Sequence, residues 1–131
     1  MTTTHAPALT KPLLAMAVGR IALGAASVAA PGAMARTFGT QRSAELDYMT
    51  RVFGARAVAL GTAYLLAGPD ERTRLQRLCV GVDVSDTVSG LSELVRSSGP
   101  TRRSLAMAVL VTGPYAAVGL ARLLTDLRQR A

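Results

Sequence analysis

Apolar positions gather into four runs, parted by short charged or Gly/Pro-containing connections. The first covers residues 12–35, PLLAMAVGRIALGAASVAAPGAMA, bounded by Lys11 and Arg36 with only Arg20 inside. Pro31-Gly32 is predicted to end or bend its helix, because proline lacks the N–H an inner turn requires. The second run, 48–68, closes at Gly68-Pro69-Asp70, a strong helix stop. The third, 75–95, reads LQRLCVGVDVSDTVSGLSELV, and the fourth, 104–121, is uncharged between Arg102-Arg103 and Arg122. The pattern predicts an all-α chain. A span needs about 20 mainly apolar residues, so the expected architecture is a four-helix transmembrane bundle. The expected organisation is a flexible tail over 1–11, a membrane domain over 12–124 and a basic tail over 125–131.

The third run is a poor span by itself. Asp83 and Asp86 near its middle add about 6 kcal/mol of insertion cost, against about 2–3 kcal/mol returned by its valines and Leu91. On a helix, Val80, Val84, Val88, Leu91 and Val95 form one face, expected to meet lipid. Asp83, Asp86, Gly90 and Glu93 form an acidic face, expected to point inward. Gly81, Ser85, Ser89 and Ser92 make a ladder of small residues, expected to be a helix-packing seam.

The first two runs supply the bases. Arg20 shares a helix side with Gly24 and Ser27, and Arg56 shares one with Val52, Ala59 and Ala63. Ionisable groups inside a bundle face its interior and pair. Arginine suits the role because its planar guanidinium grips a carboxylate with two hydrogen bonds. Arg20, Arg56, Asp83 and Asp86 are therefore expected to form an intramembrane charge cluster. Asp47 is expected to pair with Arg51, and Glu93 with Arg96, at helical spacings.

Composition strengthens the membrane reading. Half of the residues are hydrophobic and 18% are charged, below the roughly 25% of soluble domains. Mean hydropathy is +0.30. The net charge of +7 rests on arginine, Lys11 being the only lysine. These arginines flank apolar runs and lack the interleaved aromatics of a nucleic-acid surface, so no nucleic-acid partner is expected. With His5 and Cys79 each alone of their kind, neither a disulfide nor a His/Cys metal or haem site is expected, and no cofactor. The AMAR sequence after the first run offers a small-x-small cleavage site, but Arg20 interrupts the apolar core a signal peptide requires. A retained span is the preferred reading.

Three motifs carry a family resemblance: GR…LG…P…FG over 19–39, Y-x-x-R-x-F-G-A-R-x-x-A-L-G over 48–61, and GVDVSD over 81–86. Together they resemble small bacterial four-span membrane proteins of domain-of-unknown-function families. The resemblance implies a four-helix integral membrane protein and no catalytic residue. Three roles fit the residues. The first is a structural or partner-binding membrane subunit, with lipid, a membrane protein or a second copy as partner. The second is a component of an ion- or proton-coupled transporter, its path lined by Asp83, Ser85, Asp86, Thr87 and Ser89. The third is an enzyme on lipid head groups, set back by the lack of a second aspartate pair. No triad or phosphate-binding loop appears, so no enzyme is expected. The balance of flanking basic residues leans to both termini in the cytoplasm, in a multi-pass cell-membrane topology.

Overall fold

The computed structural model describes residues 9–129, which form five α-helices and, among the described residues, no strand. They are α1 (Thr10–Ala29), α2 (Pro31–Thr37), α3 (Ala44–Leu66), α4 (Pro69–Arg96) and α5 (Gly99–Arg128). Local chemistry sets the boundaries. The chain breaks at Ala30, and Pro31 opens α2 at a first-turn position where its missing N–H costs nothing. Gly39 and Gly99, with φ of +69° and +61°, make the turns after α2 and α4 in a region that side chains rarely enter. Pro69 starts α4 directly after α3, with Asp70 and Glu71 in its positive first turn. From that turn Arg72 reaches back, donating to the Tyr64 and Leu65 carbonyls at 3.2 and 3.3 Å. Two last-turn acceptors of α3 are thereby satisfied.

Two expected boundaries move. Residues 125–128, read as a tail, continue α5, and Thr10 and Lys11 already belong to α1. The rest of the expected N-terminal tail, 1–8 with His5, lies outside the described residues, as do 130 and 131. Pro114 sits inside α5 without ending it.

The beginning of α3 is an electrostatic assembly. Ser43 accepts from the Leu46 N–H at 3.1 Å, and Arg42 donates to Asp47 at 2.9 Å. Arg42, not Arg51, is thus the partner of Asp47, because the chain turning out of α2 lays the Arg42 guanidinium against the first turn. The Arg42 hydrogen bond holds the Asp47 carboxyl below its ordinary value. Glu45 is lowered too, by its own backbone N–H and then by the Ser43 hydroxyl. A depressed carboxyl lends stability that is complete above its unfolded pKa and is lost as pH falls through the folded one. The first turn of α3 is therefore expected to fray below about pH 4. The Cα chemical shifts of residues 44–48 should move toward coil on acidification. Asp47→Asn should show much of that shift already at neutral pH.

The helices pack as two hairpins, α1 against α3 and α4 against α5. Glycine brings α1 and α3 together. A Cβ added at Gly54 would stand 2.5 Å from the Gly24 carbonyl oxygen, and one at Gly61 would stand 2.7 Å from that of Ala17. Such an approach is open only to residues without side chains. In the second hairpin Val80 fills the space over Gly119, and Val109 that over Gly90.

The hairpins meet at the basal end, which holds the start of α1, the α3–α4 turn and the last turns of α5. There Leu13, Ala17 and Tyr64 form a cluster that Leu75 of α4 and Val118 of α5 complete. Toward the distal end, with α2 and the α4–α5 turn, the hairpins part around an apolar groove of ≈ 930 Å³.

Small residues make up much of the buried faces, and a number of large apolar side chains are exposed. Buried are Ala17, Gly24 and Ser27 on α1, and Gly54, Ala57 and Gly61 on α3. Large apolar side chains point outward, among them Val18 and Val28 of α1, Leu66 of α3, Val88 and Val95 of α4, and Leu110 and Leu124 of α5. Two described helices, α1 and α5, are long and apolar enough to cross a membrane.

Candidate functional site

The two hairpins are stitched together by charge. Arg20 of α1 grips Asp83 of α4 with two parallel hydrogen bonds, Nη1 to Oδ1 at 2.9 Å and Nη2 to Oδ2 at 2.6 Å. The guanidinium also lies over the Tyr115 ring of α5, 4.8 Å from its centroid, a cation–π contact that gains strength away from water. Gly19 admits that ring, since a Cβ there would come within 2.9 Å of the phenol oxygen. The Arg20 and Asp83 side chains retain 13% and 8% of their free exposure. Three helices thus converge on one buried ion pair.

The second pair differs. Arg56 of α3 reaches Asp86 through a single contact, Nη2 to Oδ2 at 2.6 Å, and its side chain is 44% exposed. It leans on the Phe53 ring and faces the groove. Among the described residues its other N–H groups make no hydrogen bond. The four expected residues are thus gathered at one level of the bundle as two distinct pairs, one enclosed and one at a groove wall. The reason lies in the packing face of α3, which is Gly54, Ala57, Gly61 and Tyr64. Arg56 stands at its flank, as does Val52, which lines the groove, whereas Ala59 is exposed.

The expected seam is corrected. Gly81, Ser85, Ser89 and Ser92 are all exposed, and nothing approaches Gly81 within 4 Å. At about 100° per residue this ladder lies roughly half a turn around the helix from Asp83. A helix that buries Asp83 must turn it away. The face that packs is instead Gln76, Val80, Asp83, Thr87 and Gly90, a spacing of four and three residues. Val80, expected toward lipid, is buried at 5% exposure. Glu93, expected inward, is exposed and stands 3.6 Å from Arg96.

Several contacts at the site join residues that the sequence does not link. The Thr87 hydroxyl donates to Thr112 at 3.2 Å, tying α4 to α5 beside the charges. Arg122, read as a flanking charge, is buried and donates to Asp126 at 2.8 Å. The seven-residue spacing of Gly54 and Gly61 was the available signal for the α1–α3 contact. No comparable signal marked Tyr115, whose partner comes from a distant helix. Two small cavities of ≈ 30 Å³ each adjoin the pairs. One is lined by Arg20, Asp83, Gln76, Cys79 and Tyr115, the other by both pairs with Thr112. Each is large enough for a water molecule. Among the described residues no three His, Cys, Asp or Glu side chains gather as metal ligands.

Comparison of the chain with protein-family models, curated proteins and solved structures returns no match.

Proposed function

We propose that this chain is a four-span integral membrane protein that serves as a structural or partner-binding membrane subunit, its hairpins locked by Arg20–Asp83 and Arg56–Asp86. The observation that carries the reading is the buried two-bonded Arg20–Asp83 pair inside a bundle whose large apolar side chains face outward. Outward apolar surface on this scale marks contact with lipid or a partner. The enclosed pair is what lets α4, too polar to insert alone, reside in hydrocarbon. Retention of α1 belongs to the reading, because cleavage after residue 35 would strand Asp83 and bare the glycine face of α3. Each aspartate is engaged by an arginine, which disfavours the lipid-head-group enzyme.

The test is fractionation. The protein should stay in the membrane pellet through a carbonate wash, leave it only with detergent, and bring any membrane partner along. A monomer recovered in water without detergent would end the proposal.

The two water-sized cavities beside Asp83 and Asp86 favour a second reading, in which these carboxylates pass protons or cations through the bundle. Proteoliposomes would then show a flux that Asp86→Asn abolishes. Flux no greater than that of empty vesicles removes this alternative.

A further inference from the structure

The groove between the hairpins has the dimensions and polarity of a lipid site. Along α5 its wall runs from Thr101 and Ser104 at the distal rim, through Leu105, Ala108 and Val111, to Thr112 at the level of the ion pairs. Eleven residues of helix rise by about 16 Å, about half the ~30 Å hydrocarbon thickness of a bilayer. The groove therefore extends from the head-group level of one leaflet to the midplane, where Arg56 and Phe53 close it. Its ≈ 930 Å³ falls at the upper end of ligand pockets, roughly 300–1,000 Å³. Its side is open, for Met49 and Val52 both line it and remain 59% and 46% exposed. A molecule could slide in sideways from the bilayer.

Charge at the rim decides between occupants. Arg36 adjoins the lining residue Ala35, and Arg102 adjoins Thr101. Both are exposed, as is Arg103, and none has an ion pair among the described residues. At this end Asp47 is already held by Arg42 and Glu93 stands beside Arg96. Against Arg36, Arg102 and Arg103 stands one further carboxylate, Glu45, engaged by its own backbone N–H and the Ser43 hydroxyl, so the net charge left at this end is positive. The geometry points to an anionic phospholipid of the surrounding leaflet, one acyl chain lying in the groove and its phosphate at Arg36 and Arg102. This inference rests on the membrane reading and adds the site, the head-group charge and the leaflet.

The experiment is native mass spectrometry of the full chain in detergent, offered phosphatidylglycerol or phosphatidylcholine of equal chain length. One phosphatidylglycerol per chain should be retained, in preference to phosphatidylcholine by about fivefold for each arginine near the head group. Arg36→Gln with Arg102→Gln should lower that preference, and Ala108→Phe, whose ring enters the groove, should lower retention of both lipids. A dihexanoyl phosphatidylglycerol, with the same head and tails too short to fill the groove, should be retained poorly by the unaltered chain, a comparison that needs no variant to fold. Equal retention of the two long-chain lipids overturns the inference, as does strong retention of the short one. So does a lipid-free dimer, which would mean that a second copy fills the groove. A chain that needs no detergent fails the membrane reading itself, a different result from a detergent-requiring chain that holds no lipid.

Discussion

Arg20→Ala is expected to destabilise the fold by about 3–5 kcal/mol, because it leaves the Asp83 carboxylate enclosed without its counter-charge. The cost reflects the stranded acid more than the worth of the pair. A double variant, Arg20→Met with Asp83→Leu, is accordingly expected to recover most of the loss, since apolar replacement of a buried pair is often neutral or better. Arg56→Ala should behave differently. Its pair is singly bonded and opens on the groove, so Asp86 is left in a less enclosed place and a smaller loss than that of Arg20→Ala is expected. Reversible unfolding in mixed micelles would rank the variants. Equal losses for Arg20→Ala and Arg56→Ala would contradict the distinction drawn between the two pairs, and a double variant no better than Arg20→Ala would contradict the explanation of the first.

The second large effect involves no charge. Gly54→Val should separate α1 from α3, because its Cβ would stand 2.5 Å from the Gly24 carbonyl oxygen and 2.9 Å from the Ser27 Cβ. A backbone oxygen cannot rotate aside as a side-chain end can. The loss is expected at the upper end of the roughly 1–3 kcal/mol typical of overpacking, or beyond. Gly81→Ala is the matched control. Nothing lies within 4 Å of it, so trading glycine for a better helix former should be neutral or stabilise by up to about 1 kcal/mol. The same unfolding assay reads both. If Gly81→Ala were as damaging as Gly54→Val, the serine-glycine face of α4 would be a contact surface after all.

What the sequence disclosed, and what it did not, follows from the range of each interaction. Pro31 and Gly68-Pro69 are local signals and mark the ends of α1 and α3 in the sequence, whereas α3, α4 and α5 extend several residues beyond their apolar runs through polar turns such as the Ser43 cap. The need for bases to meet Asp83 and Asp86 was equally readable, since a carboxylate in an apolar run demands a partner whatever the fold. Which arginine takes which aspartate, and how tightly, depends on the rotation of α3, and that rotation is fixed by Gly54 and Gly61 seating against α1. The small face of α4 was misjudged for a related reason. Gly81, Ser85, Ser89 and Ser92 look suited to close packing, but the orientation of α4 was already committed by Asp83 on the opposite side. The groove left no trace in the sequence, because it arises from how two hairpins diverge.

The separation of 63 residues between Arg20 and Asp83 has a consequence for biogenesis. At about 5–20 residues per second of synthesis, roughly 3–13 s pass between the emergence of the base and that of its acid. Throughout that interval the glycine-paired first hairpin carries an uncompensated cation. If the helices enter a membrane as proposed, such a nascent chain is expected to wait at the aqueous margin until α4 is made.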